Sequence, residues 1–167
     1  MAATALHDER MNVARAVEVQ PPDQFVTFTC SDRAFGVDIM SVREIRSWSP
    51  TTELPGQPHG AKGVLDIRGS VVQVYDLAVM LGGPGGQSGA GQVVLVVSLD
   101  RQDVGLLVDT VSDIIFAQPE DLRPVPRSST GRGNAMVTGM FKNEDRLIAI
   151  LNLDTMFPVV EEDVEGL

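Results

Sequence analysis

Residues that could carry out catalysis or hold a metal are few in this chain of 167 residues and lie far apart along it. The single cysteine, Cys30, ends an alternating run, and a cysteine nucleophile would need a neighbouring histidine. The two histidines, His7 and His59, stand in a polar leading segment and in a Pro/Gly-rich loop. No His, Cys or Asp cluster has metal-ligand spacing, and no serine has the flanking glycines of a nucleophile elbow. The sequence therefore predicts a buried structural cysteine, no metal or cofactor, and no enzyme of these classes.

One short string around Asp109 keeps a catalytic alternative open. Residues 106–111 are LLVDTV, close to the apolar-Asp-Thr-Gly turn of small dimeric aspartic proteases, but Val111 stands where those enzymes have glycine. The glycine matters because it lets two catalytic loops approach until their carboxylates share one proton. A dimeric aspartic protease that uses Asp109 is therefore only a remote alternative.

Three charged side chains, Glu44, Lys62 and Arg68, stand among apolar residues. Residues 62–77, KGVLDIRGSVVQVYDL, form two β-branched runs joined by an Arg-Gly-Ser corner, which predicts a hairpin. Arg68 closes the first strand, where an arginine is either solvated in the turn or paired with a carboxylate or a ligand. A Glu44–Arg68 ion pair would fix the preceding crossing segment to the hairpin.

Short strands bounded by turn residues would position these charges. Alternation or β-branched content predicts strands over residues 24–30, 34–39, 62–68, 71–76, 92–99, 104–108, 111–117, 135–142 and 146–151. A helical turn running into a short strand is expected over 40–48, with brief helical turns near Pro119, after Asp76, and after Asn152 or Asp154. Nine or ten strands with so little helix predict an all-β protein built of small barrels.

Three segments differ in composition from the rest of the chain. Residues 1–22 are mixed polar and small, which predicts a flexible lead-in with at most a weak helical pattern. The stretch 82–92, GGPGGQSGAGQ, lacks the Gly-Lys-Ser/Thr of a phosphate loop. It is expected to be a linker that roughly divides the folded region, residues 23–158, into two halves. Residues 159–167 are acidic and are expected to be disordered.

Charge and hydropathy exclude several kinds of partner. The 13 Lys and Arg residues stand against 23 Asp and Glu residues, a formal net charge of −10, whereas nucleic-acid binding depends on clustered basic side chains. No run approaches the roughly 18 apolar residues that would span a bilayer, and residues 1–15 lack the apolar core of a secretory signal, so no secretion is expected. The single cysteine fits a reducing, cytoplasmic location. Recognition of other proteins is the function class that remains.

An ordered set of motifs resembles the CheW-like family of bacterial chemotaxis coupling proteins, over the range from about Gln24 to Phe157. The motifs are VREI at 42–45, the Pro-bearing loop that follows, KGVLDIRGSVVQVYDL at 62–77, VGLLVDTVSDII at 104–115 and TGMFKNEDRLIAILNLDTMF at 138–157. The stand-alone adaptor is the closest match, because there is no room for the further domains of CheA or CheV. Asp66 and Gln73 depart from the family's usual Asn and Pro, and Asp66 could compete with Glu44 for Arg68.

The resemblance implies two intertwined five-stranded barrels of the Src-homology (SH3-like) type around a shared hydrophobic core. It also implies a non-catalytic adaptor that couples the cytoplasmic tips of chemoreceptors to the regulatory domain of the histidine kinase CheA, in signalling arrays to which it is recruited. An adaptor of a non-flagellar pathway, for gliding, pili or gene control, is the nearer alternative. The receptor tip would lie in a groove between the barrels. The candidate receptor- and kinase-binding residues are Val42, Glu44, Ile45, Lys62, Gly63, Val64, Leu65, Arg68, Val108, Val111 and Ile114.

Overall fold

A computed structural model describes residues 23–84, 89–126 and 136–157 as eleven short strands and a few helical turns. The strands are β1 Asp23–Cys30, β2 Arg33–Asp38, β3 Val42–Ser47, β4 Ala61–Ile67, β5 Ser70–Asp76, β6 Val93–Ser98, β7 Asp103–Val108, β8 Thr110–Ala117, β9 Leu122–Arg123, β10 Val137–Asn143 and β11 Arg146–Leu151. Short 3-10 helices lie at Ile39–Ser41 and Pro119–Asp121, and single α-helical turns at Leu77–Met80 and Leu153–Met156. The predicted all-β class is confirmed.

Local sequence signals account for where these elements begin and end. Ser31 and Asp32 both adopt positive φ (52° and 61°), the backbone that a two-residue hairpin turn between β1 and β2 requires. The Asp76 side chain accepts a hydrogen bond from the Ala78 amide at 3.0 Å and caps the helical turn that follows β5. Of the two predicted caps for the last helical turn, the Asn152 side chain fills the position.

The strands form two mixed sheets, which we call barrel 1 and barrel 2. Barrel 1 has the order β8-β1-β2-β11-β10-β9, and barrel 2 has the order β3-β6-β7-β5-β4. Each contains one parallel pair, β2 with β11 and β5 with β7, and the other neighbours are antiparallel. Barrel 1 thus has one strand more than the five expected, because the two-residue strand β9 pairs with β10.

Three apolar clusters fill the described part of the molecule. One is formed by barrel 1 alone and one by barrel 2 alone, the latter with Trp48 packed against it. The third and largest joins residues of both sheets, among them Phe28 and Val37 of barrel 1 and Leu95 and Leu106 of barrel 2. Burial of apolar surface between the sheets is therefore what unites them, as expected for two barrels around a shared core.

The glycine-rich loop does not separate the two barrels, contrary to the expected division near residues 82–92. Strands on both sides of that loop, β3 to β5 and β6 to β7, belong to barrel 2. The chain instead leaves barrel 1 after β2 and returns to it at β8, so the barrels are intertwined. Part of the loop, 85–88, and the segments 1–22 and 158–167 lie outside the described residues. Among the described residues no helix is long and apolar enough to cross a membrane.

Candidate functional site

Strands β3 and β4 are the two edges of barrel 2, and the contacts between them define a seam. At one end, the segment after β3 pairs with β4, because Thr52 and Val64 exchange backbone hydrogen bonds of 3.0 and 2.8 Å. The Thr51 hydroxyl adds a bond of 2.9 Å to the Lys62 carbonyl. At the other end, Glu44 of β3 and Arg68 after β4 form an ion pair. The seam is thus closed by backbone bonds at one end and by charge at the other.

Of the two candidate carboxylates, Glu44 and Asp66, Glu44 is the one that pairs with Arg68. Arg68 Nη2 lies 3.6 Å from Glu44 Oε1, whereas Asp66 Oδ1 accepts a hydrogen bond of 2.9 Å from the Gly69 amide within the turn. The Arg68 side chain is 83% exposed and that of Glu44 is 25% exposed. An ion pair this open to water adds little to stability, so most of the guanidinium is free to meet a partner.

A polar pocket of about 200 Å³ lies beside this ion pair. Its floor comes from Ile67, Val72 and Val96 of the barrel 2 cluster. A second ion pair, Arg43 with Asp103 at 3.5 Å, stands at the same pocket. Two arginines therefore flank the open end of barrel 2, although the protein as a whole is acidic.

Lys62 and Gly63 occupy the other end of the seam and have structural partners there. Lys62 Nζ lies 3.7 Å from Asp76 Oδ2, and the Asp76 side chain is only 8% exposed. Gly63 adopts a φ of +134°, and a Cβ built on it would lie 2.6 Å from the Thr52 carbonyl oxygen. Both residues hold the segment after β3 and the helical turn after β5 against β4. Val64, half-buried, belongs to the same arrangement through its bonds to Thr52.

Val42, Ile45, Val111 and Ile114 form what we call the apolar face. The two from β3 pair with residues of β6, and the two from β8 pair with residues of β1 that belong to the shared core. Directly paired residues project to the same side of a sheet, so all four project towards the shared core. Val42 and Val111 pack against its margin, while Ile45 and Ile114 are 48% and 45% exposed.

Two predicted binding residues, Val108 and Leu65, are placed in the interior instead. Val108 is 0% exposed and belongs to the shared core, and Leu65 is 9% exposed within the barrel 2 cluster. Neither side chain offers surface to a partner in this structure. Their contribution is to support the apolar face and the seam from beneath.

Phe116 and Met40 are exposed apolar residues that the sequence interpretation left out. Phe116 is 61% exposed and follows Ile114 by two positions on β8, so it lies on the same side of that strand. Met40 is 87% exposed in the 3-10 helix just before β3. The alternation of β8 was the signal that could have identified Phe116. Met40 had no such signal, because a single turn has no repeating pattern.

Asp109, the catalytic residue of the protease alternative, uses its carboxylate for structural hydrogen bonds. One carboxylate oxygen accepts a hydrogen bond of 2.9 Å from the Ser31 amide, and the other accepts one of 3.3 Å from the Gln92 side chain. The Asp109 amide donates to the Thr29 carbonyl at 2.9 Å. These bonds join the β1–β2 turn to the crossing between β7 and β8. A carboxylate used in this way orients backbone rather than water.

The remaining candidate for chemistry, Cys30, is 3% exposed. Burial, with the nearby Asp109 carboxylate, raises the pKa of the Cys30 thiol to about 11, so it is not a thiolate at neutral pH. Within the described ranges no group of three His, Cys, Asp or Glu side chains is placed to hold a metal ion.

Comparison with known proteins agrees with this arrangement. The family model of the CheW-like domain matches residues 24–161. The chain belongs to the CheW-like domain family. The probable chemotaxis protein CheW of Rhizobium etli is 36% identical over 140 residues, which cover 84% of this chain and 90% of that protein. The chemotaxis protein CheW of Rhizobium meliloti is 34% identical over the same shares of the two chains.

A solved structure supports the fold independently. The scaffolding protein TtCheW from Thermoanaerobacter tengcongensis superposes with a TM-score of 0.75 at 27% identity, covering 85% of this chain and 92% of that one. With the family assignment, this makes the chain a chemotaxis scaffold protein of the CheW type rather than an enzyme. The protease alternative is excluded.

Proposed function

We propose that this chain couples chemoreceptors to the histidine kinase CheA by binding the cytoplasmic tips of the receptors and the regulatory domain of the kinase at once. The observation that carries the proposal is that Ile45, half exposed on β3, is next in sequence to Glu44, whose partner Arg68 is largely exposed. Such a surface suits protein recognition and holds no catalytic group. The proposed site of action is the cytoplasmic side of receptor arrays.

The apolar face is the proposed receptor-binding surface. Ile45 and Ile114 are about half exposed, and burying apolar area contributes about 25 cal/mol per Å². Two such side chains give a weak contact, about 1–3 kcal/mol for each if it becomes fully buried. Weak contacts suffice in an array, because linked binding sites raise the effective concentration of each partner.

A substitution on the apolar face tests this assignment. Ile45→Asp places a charge on the face, and a charge buried without a partner is costly, so binding to receptor should be lost. The matched control is Leu54→Asp, because Leu54 is 45% exposed and lies outside the face. We expect Ile45→Asp to abolish co-sedimentation with receptor-containing membranes and Leu54→Asp to leave it unchanged. Equal co-sedimentation of the two variants would remove the apolar face from the proposal.

The seam is the second part of the proposed site. Arg68→Glu replaces the observed 3.6 Å ion pair with two like charges that repel each other, and it reverses the charge that a partner meets. We expect receptor-dependent activation of the kinase to be lost while the far-UV circular dichroism spectrum is unchanged. Full activation by Arg68→Glu would show that the seam has no part in coupling.

A further inference from the structure

A second groove lies on barrel 1, away from the seam, and has no role in the proposed function. Its volume is about 540 Å³. Its apolar wall consists of Phe35, Leu81, Val137, Met140, Leu147 and Ala149. Leu147, one of these wall residues, is 58% exposed. We call this groove the barrel 1 cleft.

The cleft is charged at one end only. Arg33 begins β2 and Arg146 begins β11, and the two strands run parallel in the register Ala34 with Ile148, so both arginines lie at the same end. Asp32 also lines this end, so the charged residues that line it sum to one net positive charge, while Glu144 and Asp145 stand in the turn before Arg146 and do not line the cleft. The opposite end is apolar, because Val137 pairs with Leu151 at the far end of β11.

The last helical turn before the end of the described region begins at the apolar end of this cleft. The Asn152 amide donates to the Met136 carbonyl at 2.7 Å, which places the last helical turn beside the start of β10. Phe157, the last described residue, contacts Tyr75 with the two rings tilted by 59° and their centroids 4.9 Å apart. It also packs on the shared core, as do Leu81 and Val137 of the cleft wall.

The residues that follow have the same order of polarity as the cleft. Residues 158–167 are PVVEEDVEGL, so a proline and two valines come first and three acidic residues come next. From the apolar end to Arg146 is the length of β11, six residues or about 20 Å. Residues 158–163 span up to about 20 Å when extended, enough to bring Glu161 to Asp163 to the arginines.

We propose that residues 158–167 bind the barrel 1 cleft as an internal ligand. Val159 and Val160 contact the apolar wall, and the acidic residues pair with Arg33 and Arg146. The complementarity of charge and of its order along the cleft favours this segment over a second copy of the chain. The leading residues 1–22 join the sheet at β1 instead, which lies between β8 and β2 and is separated from β11 by β2.

Paramagnetic relaxation in the full-length chain tests the proposal. A nitroxide is attached through Val164→Cys, and Cys30 stays unlabelled at neutral pH because it is buried and its pKa is about 11. We expect the label to broaden the methyl signals of Met140 and Leu147 and to leave that of Ile67, in the barrel 2 cluster, sharp.

Charge variants then show what holds the segment. The double variant Arg33→Glu, Arg146→Glu should abolish the broadening, and adding Glu161→Arg and Glu162→Arg to it should restore part of it. Both arginines lie at the surface, so the fold should survive, and the unchanged Ile67 signal verifies this. High salt should weaken the effect, because exposed charges are screened.

Three outcomes would overturn the proposal. The first is equal broadening of Met140, Leu147 and Ile67. The second is broadening seen only between differently isotope-labelled chains in a mixture, which would make a second copy the occupant. The third is broadening of the cleft methyls by a label at Ala3→Cys but not at Val164→Cys, which would make residues 1–22 the occupant.

Discussion

Gly63 is the position at which the seam is most sensitive to a single methyl group. A Cβ there would lie 2.6 Å from the Thr52 carbonyl oxygen, 2.8 Å from the Thr52 carbonyl carbon and 3.0 Å from Thr51 Cβ. Two of these atoms are backbone, so they cannot rotate away as the end of a long side chain would. Gly63→Ala should therefore push the segment after β3 off β4.

The cost can be worked from three contributions. A non-glycine residue at a φ of +134° carries about 1–3 kcal/mol of backbone strain. The two backbone hydrogen bonds between Thr52 and Val64 contribute about 0.5–1.5 kcal/mol each, and both are lost if the segment separates. The sum is a loss of about 2–6 kcal/mol in the free energy of unfolding. This loss is a large part of the free energy of unfolding of a typical domain, which is about 5–15 kcal/mol.

Gly69→Ala is the matched control, because Gly69 also has a positive φ, +87°, but its Cβ would meet no atom within 4 Å. It should cost only the backbone strain, about 1–3 kcal/mol. Urea unfolding followed by the fluorescence of Trp48, the only tryptophan, reports on barrel 2 directly. If Gly63→Ala lowers the free energy of unfolding by no more than Gly69→Ala does, the close approach of Thr52 has no energetic consequence and the reasoning is refuted.

Three further predictions concern side chains around the two sites. Asp109→Ala removes two hydrogen bonds and should lower the free energy of unfolding by about 1–3 kcal/mol. Neither the wild type nor the variant should show proteolytic activity. An unchanged urea midpoint would contradict the structural role of Asp109. The free energy of unfolding should fall as pH rises from about 9 to 11, because folded Cys30 keeps a proton that the unfolded thiol loses. In Cys30→Ala the fall should shrink to the part due to Tyr75, whose pKa is also raised by burial. A pH dependence in Cys30→Ala equal to that of the wild type would refute the role of Cys30. Arg68→Gln should change the free energy of unfolding by less than about 1 kcal/mol, because its pair with Glu44 is exposed, and a loss above about 2 kcal/mol in urea would show that the pair is structural.

Local signals carried most of the fold prediction. The hairpin at 62–77 is present as β4 and β5, because two β-branched runs close to a glycine specify it within a few residues. The turn itself is Arg68-Gly69, both at positive φ, and not the expected Gly69-Ser70, because Ser70 already pairs with Ile67 as the first residue of β5. The helical turn running into a strand over 40–48 is present as the 3-10 helix at 39–41 followed by β3. In these places the side chains that decide the structure are sequence neighbours.

The remaining features depend on contacts between distant residues. Val108 lies in an apolar run of β7 that is buried throughout, so periodicity gave no way to tell a binding residue from a core residue. The division between barrels depends on which strands pair, and the glycine-rich loop carries no information on pairing. Whether Glu44 or Asp66 meets Arg68 depended on the turn, where the Gly69 amide engages Asp66.

The most direct test of the central claim is the autophosphorylation rate of CheA in membranes that contain chemoreceptors, measured with and without this chain and with partners from the same organism. The account predicts that the chain raises the rate and brings it under control of the receptor's ligand. It also predicts that Ile45→Asp and Arg68→Glu, folded as shown by circular dichroism, do neither. A rate unaffected by the folded wild-type chain would contradict the claim that this protein couples receptor to kinase.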